Sequence, residues 1–403
     1  ILIGLVGSEM CIRDRYFLVA ALLVVCGSCG EKKDKVIELV TQYSGAELDL
    51  CGDELREYLS EDDFTAQCNF LVEHEGEYYD WQNIMLIWND CGSRSYTVYI
   101  SEDSSFETSL EYTTEECEYY YGLFRPGKTY YWKVEGSDGA KSETDSFSVS
   151  DMPVALYTIE GAANVRDIGG WKTSDGGRVR YGLLFRGSQL NGYGPSEPIT
   201  ELGKSQLADT LGINSEIDLR TYNVDDDGQT SNFFNAEGKY LKAPFHPYTH
   251  IIPEYSKKDP NRYFDERVRQ SFKSVFEFLA DESNYPVYYH CNSGADRAGT
   301  LTFLINGVLG VPYESLTKDF EITSFMGMGN RWRGSAESGF TDGVMSDTYT
   351  ETYVAWGKMY ELMMQYYATE EGTLSSAIEN YLYKVCGISH EVIEKLKSIM
   401  LEY

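Results

Sequence analysis

The chain has 403 residues, 42% of them hydrophobic and 14% aromatic, which is enough apolar surface for more than one core and too much for intrinsic disorder. Its 64 acidic residues against 34 basic ones leave a formal net charge of −30. That charge excludes a nucleic-acid-binding role, because contact with a phosphodiester backbone needs clustered Lys and Arg.

The first fifteen residues, ILIGLVGSEMCIRDR, resemble a translated sequencing-adapter readthrough and are set aside. The apolar run from Tyr16 to Val25 has the length of a signal-peptide core and is too short to span a bilayer. Gly27-Ser28-Cys29 and a polar segment follow. Residues 1–30 thus resemble, after the artefact, a bacterial lipoprotein signal with the lipid on Cys29. The resemblance implies an exported chain, anchored to a membrane of the cell envelope. Cys51, Cys68, Cys91 and Cys117 lie early in the chain that would remain. An even count in an exported domain suggests two disulfides, in one of three pairings, with free buried thiols as the alternative.

Residues 31–47 read as a short helix or tether. From 48 to 150 the pattern predicts strands at residues 84–88, 96–100, 129–134 and 146–149, rich in β-branched and aromatic residues and separated by Gly, Asp, Ser and Pro. Regular short strands of this kind predict an all-β sandwich. The string FRPGKTYYWKVEGSDG resembles a fibronectin type III domain, which implies a spacer or interaction module.

Asp151-Met152-Pro153 marks a boundary, and residues 155–403 form the second domain. Val268, Phe272, Val275, Phe276 and Leu279 recur at helical spacing over 265–280. Tyr285 to Tyr289 is β-prone and ends at His290-Cys291. A helix is predicted from Arg297 to Leu309, stopped by Gly310 and Pro312. Two short helices are predicted between Ile378 and Leu401, around Gly387. Helix, strand, tight loop and helix predict an α/β fold with a mostly parallel sheet. Residues 324–343, with Met326, Met328, Arg331, Trp332 and Arg333, read either as a lid or substrate platform or as a long surface loop.

The chemistry concentrates in His290-Cys291-Asn292-Ser293-Gly294-Ala295-Asp296-Arg297-Ala298-Gly299-Thr300. This is HC-x5-R with glycine in the middle. A strand delivers the chain to a tight loop, and the loop opens a helix. Backbone N–H groups in such a loop form a nest for an anion, and glycine allows close approach. Asn292, Ser293, Gly294, Ala295 and Ala298 are the candidate lining. The Arg297 guanidinium suits two phosphate oxygens at once. The same field favours the thiolate of Cys291, making it a nucleophile and a leaving group. A structural cysteine near a chance arginine is the competing reading.

Asn164-Val165-Arg166-Asp167-Ile168-Gly169-Gly170 forms a second signature. Arg166, Arg178, Arg180 and Arg186 cluster in a very acidic chain. As a group they are expected to build a positive island, with Arg166 and Asp167 among the substrate-binding residues. Paired surface or sheet-edge arginines are the alternative.

Together NVRDIGG, GLLFRGS, IDLRT at Ile217 to Thr221 and HCNSGADRAG resemble the bacterial tyrosine phosphatases with NFRDLGG, IDLR and HCxxGKDRTG motifs. The resemblance covers residues 155–403. It implies a cysteine-phosphatase fold that hydrolyses phosphomonoesters of proteins or small molecules with no metal or cofactor. Residue by residue it implies Cys291 as nucleophile, Arg297 as transition-state clamp and Asp296 as general acid. Asp259 is a second candidate acid. Asp218 and Arg220 are expected to orient the site or brace the sheet. Two positions depart from the pattern. Ala295 replaces a lysine that suits multiply phosphorylated substrates such as phosphoinositides. Ala298 replaces a threonine whose hydroxyl serves breakdown of the intermediate, unless Thr300 or Ser293 takes that part.

Overall fold

The computed structural model describes residues 35–40, 42–74, 77, 82–192, 198–221, 239–257, 264–328, 331 and 351–403. Cys29 and Asp259 lie outside the described residues. Among the described residues no helix is long and apolar enough to cross a membrane.

The N-terminal strands obey a period of two. Along Thr129–Gly136, Tyr130, Trp132 and Val134 point inward. Val134 stands opposite Val98, and Trp132 opposite Ile100, on the antiparallel neighbour Tyr96–Ser101. Seven strands form one sheet, and Ile84–Ile87 pairs with Glu118–Tyr121 in a second, two-stranded sheet.

Three expectations for this region are corrected. Val36–Ile37 and Glu47–Leu48 pair in parallel with Lys141–Ser142 and Asp145–Val149, so the segment read as helix or tether supplies strands instead. The region is not all-β, because helices occupy Asp53–Ser60 and Phe64–Glu73. The first of these buries Leu55, Tyr58 and Leu59. Cys51, Cys68, Cys91 and Cys117 are free thiols rather than disulfides. Cys51 and Cys68 are buried like small apolar side chains.

Residues 155–403 carry a six-stranded sheet. Its order is Ala155–Leu156, Arg166–Asp167, Leu184–Gly187, Val287–His290, Ser215–Asp218, Lys239–Lys242. The first two pairings are antiparallel and the last four strands run parallel. Val287–His290 is buried at every residue, as a central parallel strand covered on both faces must be. In register, Gly187 and Asp218 both stand opposite His290. The carboxyl ends of these strands therefore open along one edge, where open α/β sheets place their ligands.

The expected helices are observed as Glu266–Leu279, Asp296–Val308, Leu374–Lys384 and His390–Met400. Asp265 caps the first by accepting from the N–H groups of Arg267 and Val268. Two further helices, Tyr313–Phe325 and Glu351–Tyr367, were not anticipated.

Candidate active site

The loop Cys291–Ala295 leaves the central strand and enters the Asp296–Val308 helix. Its carbonyls are tied down in sequence. Asn292 O accepts from the Gln189 N–H at 2.9 Å, and Ser293 O from Asn164 Nδ2 at 3.0 Å. Gly294 O accepts from Arg186 Nη2 at 2.8 Å, and Ala295 O from the same nitrogen at 3.0 Å. In a planar trans peptide the N–H points opposite to the C=O. Fixing four carbonyls on one side therefore turns the N–H groups of the next four residues, 293–296, to the other. Among the described residues, those of Ser293, Gly294 and Ala295 meet no protein acceptor. The result is an anion nest at a helix N-terminus.

Gly294 is required here. Its φ is +69°, and a Cβ on it would stand 2.3 Å from the carbonyl carbon of Gly187. The Leu184–Gly187 strand thus presses directly on the loop. Cys291, at the loop's start, is 2% exposed.

Arg297 is half-buried, with Nη2 on the Asn292 Oδ1 and Nη1 3.5 Å from Leu219 O. Asn292 also donates to Gln189 Oε1 at 3.2 Å. Next to it, Arg220 donates to Asn191 Oδ1 at 2.9 Å and to both oxygens of Asp218, at 3.0 and 2.9 Å. Asp218 further accepts from Tyr240 and from Lys242 Nζ, at 2.8 and 2.9 Å. Burial pushes the Asp218 carboxyl up, but the charges of His290 and Arg220 outweigh it and hold the carboxyl well below the usual range. Buried His290 sits between Glu216 Oε1 at 2.9 Å and Cys291 O at 3.1 Å. Asp218 and Arg220 brace the sheet edge that carries the site.

Asp296, the first residue of the helix, is heavily partnered. Arg331 reaches its carboxylate through Nε at 3.0 Å and Nη2 at 2.9 Å, and the Tyr248 hydroxyl donates to it as well. Tyr248 holds a left-handed backbone, φ +58°, which is uncommon for a bulky residue and occurs where surrounding structure enforces it. Its N–H donates to Thr300 Oγ1 at 2.9 Å, and that hydroxyl donates to Asp296 O at 2.9 Å. The Thr300 hydroxyl is thereby occupied away from Cys291. Ala298 is fully buried and offers no hydroxyl.

The substrate-binding expectation for Arg166 and Asp167 is corrected: both are fully buried. Arg166 spends its donors on Asp319 Oδ1 at 3.0 Å, Asp319 O at 3.0 Å, Thr323 Oγ1 at 3.2 Å and Asn164 Oδ1. Burial, and then the charge of Arg186, pull its guanidinium down to about 10. Asp167 accepts the N–H groups of Gly169 at 2.8 Å and Gly182 at 2.5 Å. The arginine cluster does not form an open island either. Arg178 pairs with Asp151 at 2.7 Å, and Arg180 donates to Ile399 O at 3.1 Å.

Asn292, Ser293, Gly294, Ala295, Asp296, Arg297 and Ala298 are brought together around Cys291, as their contiguity requires. Gln189, Glu216, Tyr248 and Asp319 were missed: Gln189 and Glu216 lie one residue outside GLLFRGS and IDLRT, and Tyr248 and Asp319 sit in stretches with no motif. Among the described residues no group of three or more His, Cys, Asp or Glu is placed to hold a metal ion.

A family model described as "Tyrosine phosphatase family" matches residues 157–402. A tyrosine-protein phosphatase from Nostoc commune is 24% identical over 136 residues, which cover 31% of this chain and 45% of that protein. The chain thus matches less than half the length of that relative. Among solved structures, the core catalytic domain of a PP-IP phosphatase from S. cerevisiae, in complex with citrate, aligns with a TM-score of 0.25 and 16% identity, over 35% of this chain and 71% of that one. Matched through residues 157–402, more than half of its length, the chain belongs to the tyrosine phosphatase family.

Proposed function

We propose that the protein hydrolyses phosphomonoesters, phosphotyrosine in proteins foremost, through a phosphocysteine intermediate. The observation that carries the reading is the row of outward-tied carbonyls from Asn292 to Ala295, which turns the N–H groups of residues 293–296 inward as an anion nest beside Cys291 and Arg297. The Cys291 thiolate attacks phosphorus, and the P–O bond to the leaving group breaks. Asp296 gives that oxygen its proton. Water then attacks the phosphocysteine, its proton passes to Asp296, and the S–P bond breaks to return thiolate and inorganic phosphate. Arg297, swung from Asn292, and the nest N–H groups take the charge on the equatorial oxygens. No step uses a metal or cofactor.

Ala295 supports the choice of substrate, since a lysine there would favour phosphoinositides. Fibronectin-like strands ahead of the catalytic domain, export and a lipid on Cys29 complete the proposal, and they place the substrate at the cell envelope. The test is phosphate release from a generic aryl phosphate with chelator present, comparing wild type with Cys291→Ser. Chelator-resistant release that the variant loses supports the mechanism. A folded, reduced wild type without activity overturns it in favour of a phosphate-binding protein. A panel of phosphotyrosine peptide, phosphoinositide and inositol polyphosphate then ranks substrates.

A further inference from the structure

One carboxylate of the Tyr313–Phe325 helix stands, through two arginines, behind three of the loop's carbonyls. Asp319 Oδ2 accepts from Arg186 Nη1 at 2.7 Å, and Oδ1 accepts from Arg166 Nε at 3.0 Å. Arg186 spends its other nitrogens on Gly294 O and Ala295 O. Arg166 holds Asn164 Oδ1, and Asn164 Nδ2 holds Ser293 O. Two buried guanidiniums side by side repel, and Asp319 is the anion between them, 1% exposed. Without it both arginines must move, and the peptides 293–294, 294–295 and 295–296 lose the contacts that aim their N–H groups.

The same helix is gripped on both sides of Asp319 by the N-terminal region. Lys318 Nζ donates to Leu59 O at 2.8 Å and stands 3.6 Å from Asp62. Tyr58 donates its hydroxyl to Glu321, and its ring meets Phe325 edge-on at 5.5 Å. Lys318 and Glu321 are buried in these contacts.

We propose that Asp319 is a positioning residue for phosphate binding, acting through Arg186 and Arg166, and that the Asp53–Ser60 helix seats it. The N-terminal region is then part of the phosphate site's support rather than a passive spacer. This rests on the phosphatase reading above.

The test uses the full chain and two readouts, calorimetric binding of inorganic phosphate and steady-state hydrolysis of an aryl phosphate. Asp319→Asn is expected to weaken phosphate binding by about tenfold or more and to lower kcat/KM with it, on the scale of removing support from a preorganised site. Adding Arg186→Lys to Asp319→Asn is expected to cost little further affinity, because both act on the same carbonyls, whereas a merely structural role gives additive losses. Tyr58→Phe with Lys318→Met is the milder variant and decides the matter if Asp319→Asn fails to fold. It is expected to weaken phosphate binding by less than Asp319→Asn does, since it loosens the helix that seats the carboxylate and leaves the carboxylate in place. Unchanged phosphate affinity in a folded Asp319→Asn, or in the Tyr58/Lys318 pair, overturns the proposal. A wild type that neither binds phosphate nor turns over overturns the underlying phosphatase reading and this proposal with it.

Discussion

Arg331 closes on Asp296 with two nitrogens, at 3.0 and 2.9 Å, and the Tyr248 hydroxyl shares the same carboxylate. A carboxylate held by two partners is braced, while a general acid must be free to reach the leaving oxygen. The two demands conflict unless Arg331 withdraws as substrate binds. Arg331→Gln removes the ion pair and keeps a donor. It is expected to raise kcat for a poor alkyl leaving group, which needs the acid most, more than for a good aryl one. Tyr248→Phe is expected to act the same way, by less. An unchanged ratio of alkyl to aryl turnover in both variants would show Asp296 to be a brace and pass the acid role elsewhere.

Breakdown of the intermediate is expected to be slow. Ala298 carries no hydroxyl, and Thr300 Oγ1 already donates to Asp296 O and accepts from Tyr248 N–H. Nothing from these two positions then eases departure of the Cys291 thiolate. Rapid mixing with an aryl phosphate is expected to give a burst of phenolate close to one per site, followed by slower turnover. Ala298→Ser, one oxygen larger in a fully buried position, is expected to speed the slow phase by about tenfold, less than the roughly hundredfold of a donor in a fully preorganised site. Single-phase kinetics in the wild type would contradict this account.

How much of this was legible in the sequence depends on how local each contact is. Cys291, Arg297 and the nest between them occupy one strand–loop–helix turn, so their spacing alone carries the chemistry. The helix Glu266–Leu279 was legible because one apolar face meets the core. Tyr313–Phe325 was not, because Lys318, Asp319 and Glu321 are buried inside it and break the apolar pattern. Their partners lie far away in sequence: Asp319 meets Arg186 across 133 residues and Arg166 across 153. NVRDIGG and GLLFRGS were visible as motifs, but their arginines looked like ligands for phosphate. Only the fold shows that Arg166 and Arg186 approach the loop from behind. In the N-terminal region the strand signals were strong, while Asp53–Ser60 was masked by its charged outer face.

Thiol chemistry separates the cysteines. Burial pushes the Cys51 thiol up to about 12, and the Cys386 thiol likewise to about 12. Both stay protonated and enclosed at neutral pH, and protonated buried thiols are inert. Cys291 is as buried as they are but borders the anion nest, whose N–H groups draw an anionic reagent to it. Iodoacetate is therefore expected to modify Cys291 well before Cys51 or Cys386 in the folded chain, and inorganic phosphate is expected to protect it. Peptide mapping after limited alkylation reads this directly. Equal labelling of Cys386 and Cys291 would count against the nest as an anion site.

Asp167 predicts how stability follows pH. Burial pushes its carboxyl up to about 7, outweighing the N–H groups of Gly182 and Gly169 and the charge of Arg125. In the unfolded chain the group titrates near 3.8. Between these two values the folded chain binds the proton more tightly. Acidification from about pH 7 to about pH 4 therefore stabilises the fold through this residue, by at most roughly 4 kcal/mol. Asp218 works the other way. Its carboxyl is held low by His290 and Arg220, so its contribution is present above the unfolded value and is lost as pH falls below it. Through these two residues the fold is most stable on the acid side of neutrality, above the range in which Asp218 takes its proton. Thermal melts of wild type from pH 4 to 8 are expected to rise toward the acid end of that range. Asp167→Asn cannot titrate there. It is expected to flatten the rise whatever its effect on Tm at a single pH, since its Oδ1 still serves one glycine N–H while its amide opposes the other. An unaltered slope in the variant would assign the pH dependence to groups other than Asp167.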